Sequence, residues 1–141
     1  MGILDSFEIG RTGLYAHSQR LSAHANNIAN IDTPNYVRKI PLVQEVGTTG
    51  SFGAIFARMS NQPVLNGGVS FNGTSEDPTQ TSRVYMPGHP DADKNGYIRL
   101  SNVNPMVDMA DAQLSARAYE ASLAVVNISK SMAQRAIEIG K

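Results

Sequence analysis

The chain has 141 residues, of which 41% are apolar, 17% charged and 6% aromatic, which is the size of one domain with a modest core. Twelve Lys and Arg balance twelve Asp and Glu, so the basic footprint of a nucleic-acid binder is missing and nothing in the net charge opposes self-association. There is no Cys, which excludes a disulfide framework, a thiolate zinc site and a cysteine nucleophile.

The N-terminal stretch reads as a helix. Phe7, Leu14, Leu21 and Ile28 recur at seven-residue spacing, with Ile3, Ser18 and Ala25 filling intermediate positions. Gly10 and Gly13 weaken it by about 1 kcal/mol each relative to Ala, so this helix needs a partner to order. Asp5, Glu8 and His17 stand where a cleaved secretory signal has a basic start and an apolar block. The expectation is that any export proceeds without such a signal. No apolar run reaches the ~18 residues of a membrane span. The helix stops before Asp32-Thr33-Pro34-Asn35, where Pro34 disfavours helical dihedrals at Thr33 and Asn35 suits a left-handed turn position.

Residues 37–103 carry β-branched and aromatic residues in short runs, at 37–46, 51–57, 69–71, 83–85 and 97–100. Asn66-Gly67-Gly68, Asn72-Gly73 and Asn95-Gly96 read as turns between them. A small antiparallel β insertion is predicted, with a polar loop over 73–82.

The C-terminal stretch is the stronger helix. Leu114, Ala118, Ala121, Val125, Ile128, Met132 and Ile139 keep three- and four-residue spacing, interrupted at Arg135. Asn104 is a good N-cap, Pro105 suits the first helical position, and Gly140 marks the end. The fold class is therefore mainly α with a small β insertion, the two long terminal helices packing as a coiled-coil-like pair. The segments are 1–36, 37–104 and 105–141. Spacing alone leaves two uses for the apolar stripes: the buried face of a hairpin, or a seam between subunits.

Residues 91–98, DADKNGYI, reproduce several features of a calcium loop. The closing Glu is replaced by Asn102, and Pro87-Gly88-His89-Pro90 precedes the loop where a helix should enter, so a turn leading into a strand is the preferred reading. His17 and His24 share a helical face but lie ~10.5 Å apart along the axis, too far to share a metal. His89 has no catalytic partner at a recognisable spacing. No nucleophile elbow, metalloprotease helix, phosphate loop or dinucleotide fingerprint occurs, so neither an enzyme nor a cofactor site is indicated.

Three Asn within residues 26–30 are unusual in a helix. They stand either where the helix frays into a turn or where amides bond between packed helices.

These residues carry a resemblance. ANNIANIDTPNYVR resembles the N-terminal signature of bacterial flagellar rod, hook and hook-filament proteins, through Ala25, Asn26, Asn27, Ala29, Asn30, Thr33, Pro34, Tyr36 and Arg38. Asn35 stands where Gly is usual. The stretch from Tyr85 to Gly140 is similar to the C-terminal half of proximal rod proteins, through Pro87, Gly88, His89, Pro90, Gly96, Tyr97, Arg117 and Tyr119. Ser101, Pro105 and Ser122 depart from that pattern. The likeness covers 1–46 and 83–140.

The resemblance implies a non-enzymatic structural subunit of the flagellar basal-body rod, in the cell envelope, exported without a cleaved signal. The implied partners are other rod subunits, copies of itself, the motor ring and the export apparatus, with no nucleic acid and no membrane span. Phe7, Leu14, Leu21, Ile28, Leu114, Ala121, Val125, Ile128, Met132 and Ile139 are then the expected assembly surface, with Asn26, Asn27, Asn30, Arg117 and Tyr119 as polar register. The alternatives are another short rod subunit or a calcium-binding helical module. Phe52 and Phe56 are spaced like an export-recognition element, although two Phe four apart are more often simple core residues.

Overall fold

The computed structural model describes residues 3–46, Phe56, Met59 and 67–140. Its elements in chain order are α1 (Ile3–Ala29), β1 (Lys39–Glu45), β2 (Val69–Glu76), β3 (Arg83–Tyr85), β4 (Tyr97–Arg99) and α2 (Pro105–Ile139). The two long helices pack against each other, with short antiparallel strands in the chain between them.

The helices run antiparallel, since Gly10 meets Val126 while His24 and Asn27 meet Asp108. Local chemistry sets the limits of α2. The Asn104 side chain accepts from the backbone N–H of Met106 and Val107, Pro105 occupies the first turn, and Gly140 N–H closes on the Ala136 carbonyl. α1 ends where Asn30 folds back, its Nδ2 donating to the Asn26 carbonyl at 2.8 Å. Asn35 takes a φ of 62°, as its turn position requires, and its N–H donates to Arg99 O at 3.0 Å.

Small residues let the helix backbones approach. Gly10, Gly13 and Ala16 of α1 are buried, and α2 answers with buried Ser115 and Ser129 and half-buried Ser122 and Val126. A Cβ on Gly10 would lie 2.6 Å from Val126 Cγ2, and one on Gly13 would lie 3.0 Å from Ser122 Oγ. The glycines that weaken α1 as an isolated helix are thus what allow it to seat on α2.

β1 and β2 form one two-stranded antiparallel sheet and β3 and β4 another. The expected hairpin turn at Asn72-Gly73 is instead a bulge inside β2. Pro41 pairs with Thr74 and Val43 with Phe71, so Asn72 and Gly73 together oppose Leu42, and Gly73 takes the positive φ (89°) that the bulge needs. β2 consequently continues to Glu76, and the loop predicted from 73 begins only after it. Asn95-Gly96 closes an eleven-residue connection between Tyr85 and Tyr97 and is not a two-residue hairpin turn. Of the strand expected over 51–57 only Phe56 is described, and its backbone is helical. The remainder, with Phe52 and Asn66, lies outside the described residues.

Candidate assembly surface

Two of the signature residues, Asn27 and Arg38, converge with His24 on one buried carboxylate in the first turn of α2. Asp108 is fully buried. Its Oδ1 accepts from His24 Nδ1 at 2.8 Å and Asn27 Nδ2 at 2.9 Å, and its Oδ2 accepts from Arg38 Nε at 2.8 Å. Burial pushes this carboxyl up, but the bonds from Arg38, His24 and Asn27 outweigh it and hold the group below its ordinary value. The Arg38 guanidinium also reaches Asp77 at 3.2 Å and Asp111 at 3.6 Å. The bonds to Asp108, foremost, and to Asp77 raise its own pKa.

Asn27 uses all four of its hydrogen-bonding positions. Nδ2 donates to Asp108 and to Lys39 O, while Oδ1 accepts from Lys39 N at 2.9 Å and Tyr36 Oη at 3.0 Å. The amide thus pairs with the start of β1 as a neighbouring strand would. Asn102 completes the tie, accepting from Arg38 N at 2.7 Å and donating to Asp77 O and Thr79 O. This polar clasp joins α1, the following turn, β1, the end of β2 and α2.

Asn26 is exposed, Asn30 shapes the end of α1 through Asn26 and Thr33, and Arg117 and Tyr119 are exposed on α2. Ala25, Ala29 and Thr33 are exposed at the surface of α1 and its turn, and Pro34 is half-buried. In the β3–β4 connection, His89 N–H donates to Met86 O, and its Nδ1 accepts from Asp91 N–H at 3.2 Å. Pro87, Gly88 and Pro90 are exposed there, while Gly96, at a φ of 78°, lies so close to Tyr85 that a Cβ would fall 2.9 Å from its ring. Asp93 accepts from Asn95 N–H and Tyr97 N–H, which lowers its pKa, the Tyr97 bond most strongly. The calcium-like residues therefore form a turn leading into β4. Among the described residues no group of three or more His, Asp and Glu is placed to hold a metal, and no helix is long and apolar enough to cross a membrane.

The apolar stripe of α2 does not face α1. Leu114, Ala121 and Ile128 each precede by one residue Ser115, Ser122 and Ser129, which do face it, and one residue turns a helix by about 100°. Leu114 is 61% exposed, Ile128 60% and Ile139 87%, with Val125 and Met132 also exposed. On α1, Phe7, Leu14 and Ile28 are half-buried and Leu21 is exposed. Leu14 and Ile28 follow buried Gly13 and Asn27 by one residue. In an antiparallel pair, a step forward on one helix and a step back on the other lead to opposite sides. The hairpin therefore carries one apolar stripe on each side.

A hairpin of two long helices with a small polar interior and an exposed apolar stripe on α2 is the architecture of a structural subunit. Residues 7–36 match the family model described as flagella basal body rod protein, and residues 94–139 match the flagellar basal body rod FlgEFG protein C-terminal model. The flagellar basal-body rod protein FlgC of Bacillus subtilis is 33% identical over the whole of both chains. That of Borreliella burgdorferi is 33% identical over 99% of this chain and 98% of its own, and that of Buchnera aphidicola 30% over the whole of both. The chain belongs to the FlgC family of flagellar basal-body rod proteins.

Proposed function

We propose that this chain is a non-enzymatic structural subunit of the proximal part of the flagellar rod, which packs through its terminal helices into the axial tube that transmits torque to the hook. The observation that carries this reading is the exposure of Leu114, Ile128, Met132 and Ile139 in a molecule whose hairpin is already closed. Burying one such side chain against a neighbour stabilises by roughly 1.5–3 kcal/mol. The apolar side chains buried within the chain are only Ala16, Ala23, Ile98 and Val103 among the described residues. Subunit contacts are thus a larger reservoir of apolar burial than the interior.

Stripes on opposite sides favour a heterologous contact, α2 of one copy against Phe7, Leu14, Leu21 and Ile28 of the next, which extends without closing. Asn27 is engaged inside the chain, so polar register between subunits falls to Asn26, Arg117 and Tyr119. The partners are copies of this chain, other rod subunits, the motor ring and the export apparatus. The location is the periplasmic rod of the basal body, reached without a cleaved signal. A sibling rod subunit is less well supported, because the FlgC relatives align from end to end.

The test is complementation of a strain lacking its own copy with Ile128→Asp and Leu114→Asp. Both side chains are exposed, so the exported monomer should keep its circular dichroism while rods and swimming fall at least tenfold. Normal rods in both variants would refute the assignment.

A further inference from the structure

The apolar stripe of α2 contains one side chain whose polarity can change after synthesis. Leu114 and Met132 are eighteen residues apart, about five full turns, so they stand on one line along the helix. Val125, Ile128 and Ile139 lie within about 40° of that line. Arg135 interrupts the spacing between Ile128 and Ile139, and over that interval of about 16 Å Met132 is the one large apolar side chain of the stripe. Met132 is 57% exposed, so its sulfur is open to small solutes in the free subunit.

Its chemistry is also unlike that of its neighbours. The other stripe residues on both helices are hydrocarbon side chains, inert to mild oxidants, whereas a thioether sulfur is polarisable and is oxidised readily. The chain has no Cys to compete for the oxidant. Met106 and Met109 are exposed too, but they sit about 80° and 140° round α2 from the line of Leu114, and exposed Met86 lies outside the helices. Oxidation at those three leaves the stripe itself unchanged.

We infer that Met132 is a modification site at which a peroxide forms the sulfoxide in the free subunit and thereby blocks packing along this stripe. The sulfur lone pair attacks one peroxide oxygen, so that the S–O bond forms as the O–O bond breaks. The hydrogen on the bound oxygen passes to the departing one, which leaves as water. Sulfur gives up two electrons and the peroxide gains them. The product places a strongly polar oxygen in the apolar stripe, and a neighbour covering it would bury that oxygen without a hydrogen bond. This assignment rests on the packing of α2 against a neighbour proposed above, and the same packing would shield the sulfur once a subunit is in place.

The purified full chain is treated with hydrogen peroxide and mapped by peptide mass spectrometry. Met132 should be oxidised within tenfold of the rate at Met106, with circular dichroism unchanged; slower reaction, or a fall in helicity, would overturn the inference. In a strain lacking its own copy, Met132→Gln, an uncharged polar stand-in for the sulfoxide, should give at least fivefold fewer rods than Met132→Leu. Equal numbers in the two variants would refute the blocking effect. Peroxide given while rods form should cut new rods at least threefold more in the native and Met106→Leu strains than in Met132→Leu, each counted against its own untreated culture. Equal losses would place the sensitivity elsewhere and overturn the assignment. Ile128→Asp separates the two readings: if it abolishes rods while Met132→Gln does not, the stripe packs and only the inference about Met132 fails. If both variants form normal rods, the packing itself is refuted.

Discussion

Gly10→Ala opposes two effects of known size. An interior helical Gly costs about 1 kcal/mol relative to Ala, so by helix propensity alone the substitution stabilises α1. In the packed hairpin the new Cβ falls 2.6 Å from Val126 Cγ2, with Ser122 O and Val126 N at 3.8 Å behind it. Carbon atoms settle near 3.5–4.0 Å, so about 1 Å must be found. Val126 is β-branched and cannot swing aside freely, and overpacking of this kind costs about 1–3 kcal/mol. The net expectation is destabilisation of up to about 2 kcal/mol. Val126→Ala removes the obstructing methyls at a cost of about 1 kcal/mol of lost burial. In the double variant the methyl group introduced on α1 enters the vacated space and the propensity gain returns, so the two changes should couple favourably by about 1–3 kcal/mol. Urea unfolding of the full chain by circular dichroism, below the concentration at which it assembles, measures all three. A rise of about 1 kcal/mol in Gly10→Ala alone, or strict additivity in the double variant, would refute the close approach of α1 to α2 at this position.

Asp108→Asn keeps an acceptor for Arg38 but loses the charge, and should cost about 1.5–3 kcal/mol at neutral pH. The folded carboxyl lies below its ordinary value near ~3.9, so the unfolded chain binds the proton first. The stability that Asp108 contributes is present above ~4 and is lost as pH falls through the lowered value. The variant should therefore show a shallower acid loss in melts from pH 6 to pH 2, and an unchanged slope would count against the clasp. Asn35→Val places a β-branched residue at φ 62° and should destabilise by about 1–2 kcal/mol, whereas Asn35→Gly should be tolerated, both read from thermal midpoints. Asn104→Ala removes the acceptor for Met106 and Val107 N–H and should cost about 1 kcal/mol, with faster hydrogen exchange in the first turn of α2.

What was legible in the sequence was whatever a residue decides within its own turn. Asn104-Pro105 and Asn35 act on adjacent backbone and each is found in the role its chemistry implies, while Gly140 ends α2 at an ordinary φ of −86°. Asn72-Gly73 does not reveal its role locally, because a positive φ serves a hairpin turn and a bulge equally well, and the choice rests with Leu42 on the facing strand. The apolar spacing located both helices, but it left open which face meets the other helix. That face of α2 is lined by Asp108, Ser115, Ser122 and Ser129, also seven residues apart, a pattern that apolar periodicity ignores because no member is apolar. The clasp joins residues 81 and 70 positions apart in the chain, and no local spacing announces such a meeting.

The serine heptad carries a problem of sliding. If α1 moved one heptad along α2, about 10.5 Å, a serine would again stand where a serine stood, and small side chains offer few knobs to resist the shift. Asp108 occurs once in that column, and only one alignment brings His24, Asn27 and Arg38 to it together. In any slipped alignment a buried carboxylate would lie without its counter-charge, among the most costly states a protein interior can hold. The single charge in a column of near-equivalent steps thus works as the key of a vernier. It sets how far one helix overhangs the other, and with that the position of the apolar stripe of α2 along the hairpin.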